Sequence, residues 1–402
     1  MSTDPLLNRS SAGPALGPAA TADRYARHRA IAGFSQESLQ ASRFAVIGAG
    51  AIGNEVVKNL CLLGVGAVDV YDFDTVELHN LTRSVLLREA DVGTGKATAV
   101  ARRAREMDPA VTLRAITGDL WDTLAFDALR GYRCVIAALD NFEARLRVNL
   151  LCWIAGVDWV NAAIDSRYVT VESFRFSRAG RDTPVACYEC GLPASAYQRV
   201  AERYSCGGLQ RLAARERIVP TTAITASFAG AQAVNRALAL TDAGAGDGLP
   251  AERWLLDTRT GRATVAALER APLCPCCGDL PARARIVALP AGDARALDAA
   301  ARDAGADSVR LSDRLVWRCS CANCGSTAAT KAVELRAAAR VPDSVAFCMQ
   351  CRSPAIGVEL RDEFEPGELS ERFPAGARVP ARFALAGDTC LDLLAEPSGE
   401  QT

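Results

Sequence analysis

Histidine is nearly absent from this chain. Among 402 residues there are two, His28 and His79, and neither has an evident partner for acid–base work. That scarcity weighs against hydride transfer to a carbonyl, which usually calls on a positioned acid of this kind. A basic excess is missing as well. Forty-six Lys and Arg against 47 Asp and Glu leave a formal net charge of −1, so the charge balance points neither to nucleic acid nor to an anionic membrane surface. No apolar run approaches the roughly 18 residues of a membrane span. Residues 1–22 lack the basic start and apolar core of a secretory leader. They are rich in Pro, Ala and Ser and are expected to be disordered.

Cysteine, by contrast, is abundant: 15 residues, mostly in C-x-x-C pairs. Without a leader, a reducing cytoplasmic compartment with zinc is a better reading than disulfides. Cys187/Cys190 and Cys274/Cys277 have zinc-knuckle spacing, which suits tetrahedral thiolate coordination in a structural site. Cys321/Cys324 and Cys348/Cys351 repeat the spacing and predict a second, ribbon-like zinc site. Cys276 stands between two ligands and Cys319 is a spare. Cys61, Cys134 and Cys152 lie in apolar stretches and read as core residues. Cys206 is different. It sits in RYSCGGLQRLAARERIVPTT, where two glycines follow it, and Arg203 and Arg211 favour its thiolate.

The first half of the chain alternates strand and helix patterns. RFAVIGAG (43–50) is an apolar strand running into glycines, AIGNEVVKNLCLLG (51–64) has helical spacing, and AVDVYDFD (67–74) is a second strand. A helix over 96–108, a strand over 111–117 and an apolar strand over 134–141 follow. Further strands read at 159–164 and 170–176, and 221–240 is a small-residue helix expected to pack on the sheet. The fold class is therefore α/β with a mostly parallel sheet. Residues 279–402 read as a separate α+β region around the second zinc site.

GAGAIG fits G-x-G-x-x-G at Gly48, Gly50 and Gly53. Glycines there let backbone approach phosphates at a helix N-terminus. Asp72 ends the next strand, where a carboxylate can hold ribose hydroxyls. This much fits a nicotinamide or an adenine nucleotide equally. DFDTVELHNLTRS (72–84), Lys96 and Leu139-Asp140-Asn141 shift the balance, because adenylation needs cations for a triphosphate and a carboxylate for a metal.

GAGAIGNEVVKNL, DFDTVELHNLTRS, the Lys96 region and ALDNFEAR together resemble the ATP-binding fold of ubiquitin-activating enzymes. They equally resemble the bacterial adenylyltransferases that activate sulfur-carrier proteins for molybdopterin and thiamine synthesis. The likeness covers residues 23–278 and implies a Rossmann-like adenylation domain that binds ATP with Mg2+ and adenylates the C-terminal glycine of a ubiquitin-like or sulfur-carrier protein. By the same resemblance Asp72 binds ribose, and Asn80, Arg83 and Lys96 contact phosphates. Asp140 holds magnesium beside Leu139 and Asn141, and Arg27 enters a neighbouring subunit's site in a homodimer. Arg145 either anchors the strand end or touches ligand. The family's N-L-N-R-Q run reads Asn80-Leu81-Thr82-Arg83-Ser84 here, which keeps the arginine and puts the contacts of the other two altered positions in question. The Pro220-Thr221-Thr222 run and the place of Cys206 resemble those of thioester-forming activating enzymes. On that likeness Cys206 accepts the carrier as a thioester and hands it to a conjugating enzyme. Two alternatives stay open: a sulfur-carrier adenylyltransferase that does not need Cys206, and an inactive zinc-binding scaffold. The Ala/Arg-rich composition suggests a high-GC bacterial source.

Overall fold

The computed structural model describes residues 23–179, 185–193, 220–241, 251–289, 292–326, 333–341, 348, 350–353 and 356–393. Cys206 and the N-terminal 22 residues lie outside the described residues. Two short helices, α1 (Ala26–Arg29) and α2 (Gln36–Gln40), lead into β1 (Arg43–Ile47). Helix α3 (Ala51–Leu63) follows the glycine turn and stops at Gly64. There a left-handed φ of +68° lets the Gly64 N–H close back on the Cys61 and Leu60 carbonyls. The chain continues through β2 (Ala67–Tyr71), α4 (Lys96–Met107), β3 (Thr112–Ile116), α5 (Leu120–Thr123), α6 (Phe126–Arg130) and β4 (Cys134–Ala137). Then come α7 (Phe142–Ala155), β5 (Trp159–Ile164), β6 (Tyr168–Phe174), α8 (Ala223–Thr241), β7 (Glu252–Asp257) and β8 (Arg262–Ala267).

These strands form one eight-stranded sheet in the order β3-β2-β1-β4-β5-β6-β7-β8. The first five in that order are parallel; from β5 to β8 each neighbour is antiparallel. Apolar runs such as RFAVI and CVIA suit the parallel strands because helices cover both faces. Buried residues of α3, α4 and α8 share one core with β1, β2 and β4. On the other face, α6 and α7 pack with Trp159, Phe174 and the first cysteine set. Helix α8 lies directly on α3: a Cβ at Gly230 would stand 2.3 Å from the Glu55 Cβ, and the Ser227 hydroxyl donates to Glu55 Oε1 at 2.8 Å.

The chain leaves β1 toward β2 on one side while β4 lies on the other. The carboxyl ends of β1 and β4 thus flank a topological switch point, where open α/β sheets bind ligands. The mostly parallel sheet expected from the sequence is present, joined by the antiparallel pair β7 and β8, which sequence patterning did not separate.

A second, five-stranded sheet has the order β11-β10-β12-β13-β9. It comprises β9 (Arg285–Ala288), β10 (Val309–Cys321), β11 (Ile356–Phe364), β12 (Phe383–Ala386) and β13 (Thr389–Asp392), with helices α9 (Ala294–Asp303) and α10 (Glu368–Arg372). Leu297, Trp317, Phe364 and Leu369 fill its own core. It also packs against helices of the larger sheet. The Phe383 ring lies 6.0 Å from that of Trp121 and 5.7 Å from that of Phe126. Among the described residues no helix is long and apolar enough to cross a membrane.

Candidate active site

The turn after β1 is held from three directions. Gly48 has a φ of +97°, and a Cβ there would meet the Ala138 carbonyl at 2.5 Å, so the backbones of β1 and β4 touch at this point. A Cβ at Gly53 would fall 1.9 Å from the Gly48 oxygen. Gly50, the N-cap of α3, has open space where its Cβ would be. Two of the glycines are thus demanded by the turn itself, and the third leaves a face free beside the unsatisfied N–H groups of the helix start. That is the surface a phosphate needs.

Asp72 reaches across from the end of β2. One carboxylate oxygen accepts the Ala49 N–H at 2.6 Å and the other accepts the Asp74 N–H at 2.8 Å. Burial pushes its pKa up, against the pull of those two N–H donors. Its oxygens keep lone pairs for ribose hydroxyls. Lys96 opens α4, and its Nζ meets Asp74 Oδ2 at 2.8 Å. The 3-10 turn Leu78–Thr82 carries Asn80, and Arg83 follows directly at its C-terminal end. Asn80 is buried there, its Oδ1 accepting the Glu77 N–H at 2.9 Å. Arg83 Nη1 donates to the His79 carbonyl at 2.8 Å.

At the end of β4 the three residues Leu139, Asp140 and Asn141 divide the work. The Leu139 carbonyl accepts Arg145 Nη2 at 2.6 Å, so Arg145 anchors the strand end. Asn141 caps α7 by accepting the Ala144 N–H at 2.7 Å. Asp140 is exposed and, among the described residues, makes no hydrogen bond or ion pair, which leaves its carboxylate free for a cation such as Mg2+. Gly48, Asp72 and Leu139–Asn141 therefore gather at the carboxyl ends of β1, β2 and β4.

Arg27 is elsewhere. Helix α1 packs at the far end of α3, where the Tyr25 ring occupies the space beside Gly64. The thirteen-residue α3 is about 20 Å long, and the exposed Arg27 lies at the end opposite its own chain's glycine turn. Sequence reasoning passed over Asn54. It is fully buried, its Nδ2 donates to the Ala49 and Gly50 carbonyls at 2.7 and 2.9 Å, and its Oδ1 accepts the Leu86 N–H at 2.9 Å. One amide thus ties the glycine turn to the loop bearing Asn80 and Arg83. The signal was a polar residue inside the apolar run AIGNEVVKNL.

The first cysteine set closes as a tetrad. Cys187 and Cys274 sulfurs are 3.5 Å apart, Cys190 and Cys277 3.2 Å, and Cys187 and Cys190 3.9 Å. Zinc with Zn–S bonds of about 2.3 Å needs tetrahedral edges near ~3.8 Å, so the donors fit the ion. The hydrogen bond with the Cys187 thiol holds the Cys274 pKa below its ordinary value. Cys276 is buried next to this set, and burial pushes its thiol pKa up. The segment 185–193 is positioned by Asn149, whose Oδ1 accepts the Tyr188 N–H at 3.0 Å. A zinc here would fasten it to the loop after β8.

An open sheet with a phosphate-ready turn at its switch point, and carboxylates on either side, defines a nucleotide-binding α/β domain. The chain belongs to the ThiF family of the E1-like superfamily, whose profile matches residues 23–276. It is 32% identical over 257 residues to a sulfur carrier protein adenylyltransferase of Thermus thermophilus, across 63% of this chain and 88% of that protein. It is also 32% identical over 178 residues to a SAMP-activating enzyme E1 of Haloferax volcanii, across 42% of this chain and 62% of that one. The fold is shared with E. coli MccB, at a TM-score of 0.51 and 21% identity, covering 64% of this chain and 74% of MccB.

Proposed function

We propose that this chain adenylates the C-terminal carboxylate of a small sulfur-carrier protein, using ATP and Mg2+. The observation that carries the proposal is the free Asp140 carboxylate at the same strand ends as the open Gly50 face and Asp72. The match to the Thermus adenylyltransferase over most of its length supports this substrate class. Asp72 holds the ribose. Lys96 and Arg83 face the phosphates, Lys96 leaving Asp74 to do so. Asp140 holds the metal ion, which supplies charge neutralisation on the triphosphate. The carrier's carboxylate forms a bond to the α-phosphorus, the bond from that phosphorus to the bridging oxygen breaks, and pyrophosphate leaves. No protein base is needed because the carboxylate is already ionised, so positioning and neutralisation carry the step. Arg27, a helix length from its own glycine turn, serves a second copy of the chain.

A second reading goes one step further. The resemblance to a SAMP-activating enzyme E1 favours it. The Cys206 thiolate attacks the acyl carbon of the adenylate, AMP leaves, and the carrier is held as a thioester ready for a conjugating partner. Carrier-dependent ATP–pyrophosphate exchange tests the first step. Exchange that needs the carrier's free C-terminus and disappears in Asp140→Ala is expected. An Asp140→Ala protein exchanging at the wild-type rate would sink the site. A thiol-labile carrier adduct that is lost in Cys206→Ala selects the second reading.

A further inference from the structure

The second cysteine set lies outside the 23–276 family match. Its four sulfurs lie within 4.8 Å of one another. Cys321 and Cys351 are 3.6 Å apart, and Cys324 and Cys348 3.8 Å, against the ~3.8 Å edge of a zinc–tetrathiolate tetrahedron.

The backbone around the two pairs is more telling than the sulfurs, because it is the same twice. The Gly325 N–H donates to the Cys321 carbonyl at 2.8 Å, and the Arg352 N–H donates to the Cys348 carbonyl at 2.8 Å. The Cys321 N–H donates to the Ser326 carbonyl at 3.1 Å, and the Cys348 N–H to the Ser353 carbonyl at 2.9 Å. The residue after the second cysteine is left-handed in both, with φ of +66° at Gly325 and +59° at Arg352. Glycine takes that conformation freely. An arginine there is strained by roughly 1 kcal/mol or more, and something must hold it. Two copies of one knuckle, facing each other across four sulfurs, are a ligand cage with a two-fold repeat.

The first tetrad is built otherwise. Cys187 leads into a 3-10 turn, and Gly278, which closes back on the Cys274 carbonyl, is not left-handed. Exposure differs as well. In the first tetrad three sulfur ligands are buried and Cys190 is half-buried; in the tail Cys324 is exposed and Cys351 half-buried.

We propose that the tail carries a zinc centre of its own on Cys321, Cys324, Cys348 and Cys351, which clamps the connected end of the antiparallel β10–β11 pair, where the chain leaves β10 and enters β11, and gives up its metal before the first site does. Cys321 pairs directly with Ile356, the first residue of β11. Ligation of Cys321 and Cys351 by one ion therefore bridges the end of β10 and the start of β11. Binding displaces the thiol protons to solvent, and no redox step is involved. This inference is independent of what the nucleotide site adenylates.

Zinc content per full-length chain, followed through stepwise chelation, tests it. Wild type is expected to hold two zinc ions and a Cys324→Ser/Cys351→Ser variant one. The zinc that the chelator removes first from wild type should be the one the variant lacks, and its loss should speed amide exchange at Cys319 and Cys321. One zinc per chain in both proteins, or removal of both ions at one rate, overturns the proposal. Cobalt substitution of wild type guards against a variant that misfolds. A second equivalent of Co2+ that adds the same thiolate-to-metal absorption as the first supports the tail centre; saturation at one equivalent refutes it.

Discussion

Asp72 has two tasks for one carboxylate. It holds the glycine turn through the Ala49 N–H and, in the proposed role, accepts ribose hydroxyls. Burial raises its pKa above the ordinary aspartate value of 3.8. A carboxyl whose pKa is higher folded than unfolded contributes stability only where it is protonated, and that contribution fades as pH rises through the folded value. At neutral pH the ionised Asp72 therefore opposes folding slightly and is kept for its ligand. Nucleotide affinity should fall on acidification in a window that opens above pH 3.8. Titrating nucleotide binding downward from neutral pH, in wild type and Asp72→Asn, checks this. The variant should bind weakly and lose the Asp72 part of the acid limb. A limb of unchanged position and depth in the variant assigns it to another group. At this scale the placement of the candidate residues was legible: Gly48, Asp72 and Asp140 follow the ends of β1, β2 and β4, as the strand patterning put them. Asn54 was not, because its three hydrogen bonds join segments 32 residues apart and no local pattern announces them.

The glycine turn makes a sharper distinction than its motif does. Gly50 and Gly53 are equivalent letters in G-x-G-x-x-G, yet a Cβ at Gly50 meets nothing and one at Gly53 meets backbone at 1.9 Å. Gly50→Ala is therefore expected to keep its urea midpoint and lose nucleotide affinity. Gly53→Ala should be destabilised by about 2–3 kcal/mol, because neither Gly48 nor α3 can move aside. Equal midpoint losses in both, or wild-type nucleotide binding by Gly50→Ala, would contradict the open-face reading. The parallel strands were readable because burial on both faces makes them continuous apolar runs. Strands β7 and β8 escaped for the converse reason. All six residues of β8, RATVAA, are exposed, so no alternation between apolar and polar marks the strand. Helix α7 hid similarly: FEARLRVNLLCWIA carries its buried residues mostly in its second half, which blunts the helical period.

Across the molecule, alternating segments and a second cysteine set marked the tail as a separate region, and the tail does have its own sheet. What composition does not reveal is that one face of this sheet completes another core. Phe383, Leu385 and Cys390 are buried with Trp121, Phe126 and Trp153. Arg382 Nη2 donates to the Leu124 carbonyl at 3.1 Å, and Arg130 Nη2 donates to the Ala284 carbonyl at 2.8 Å. The same core contains Cys187, Cys274 and Cys277, so the first cysteine set and the tail brace one helical face between them. Phe383 is the place to test that coupling. It is 2% exposed and packs tilted and edge-on against rings of the other sheet's helices, so Phe383→Ala should cost about 3–5 kcal/mol. If the two sheets unfold as one unit, that loss lowers a single transition seen alike by Trp121 and by Trp317. If the interface alone couples them, the variant separates into two transitions, and the Trp317 signal in the tail moves away from that of Trp121. An unchanged midpoint at both would mean the contact contributes nothing to stability. Separated transitions are the expected result, because Leu297, Phe364 and Leu369 give the second sheet a core that does not depend on Phe383.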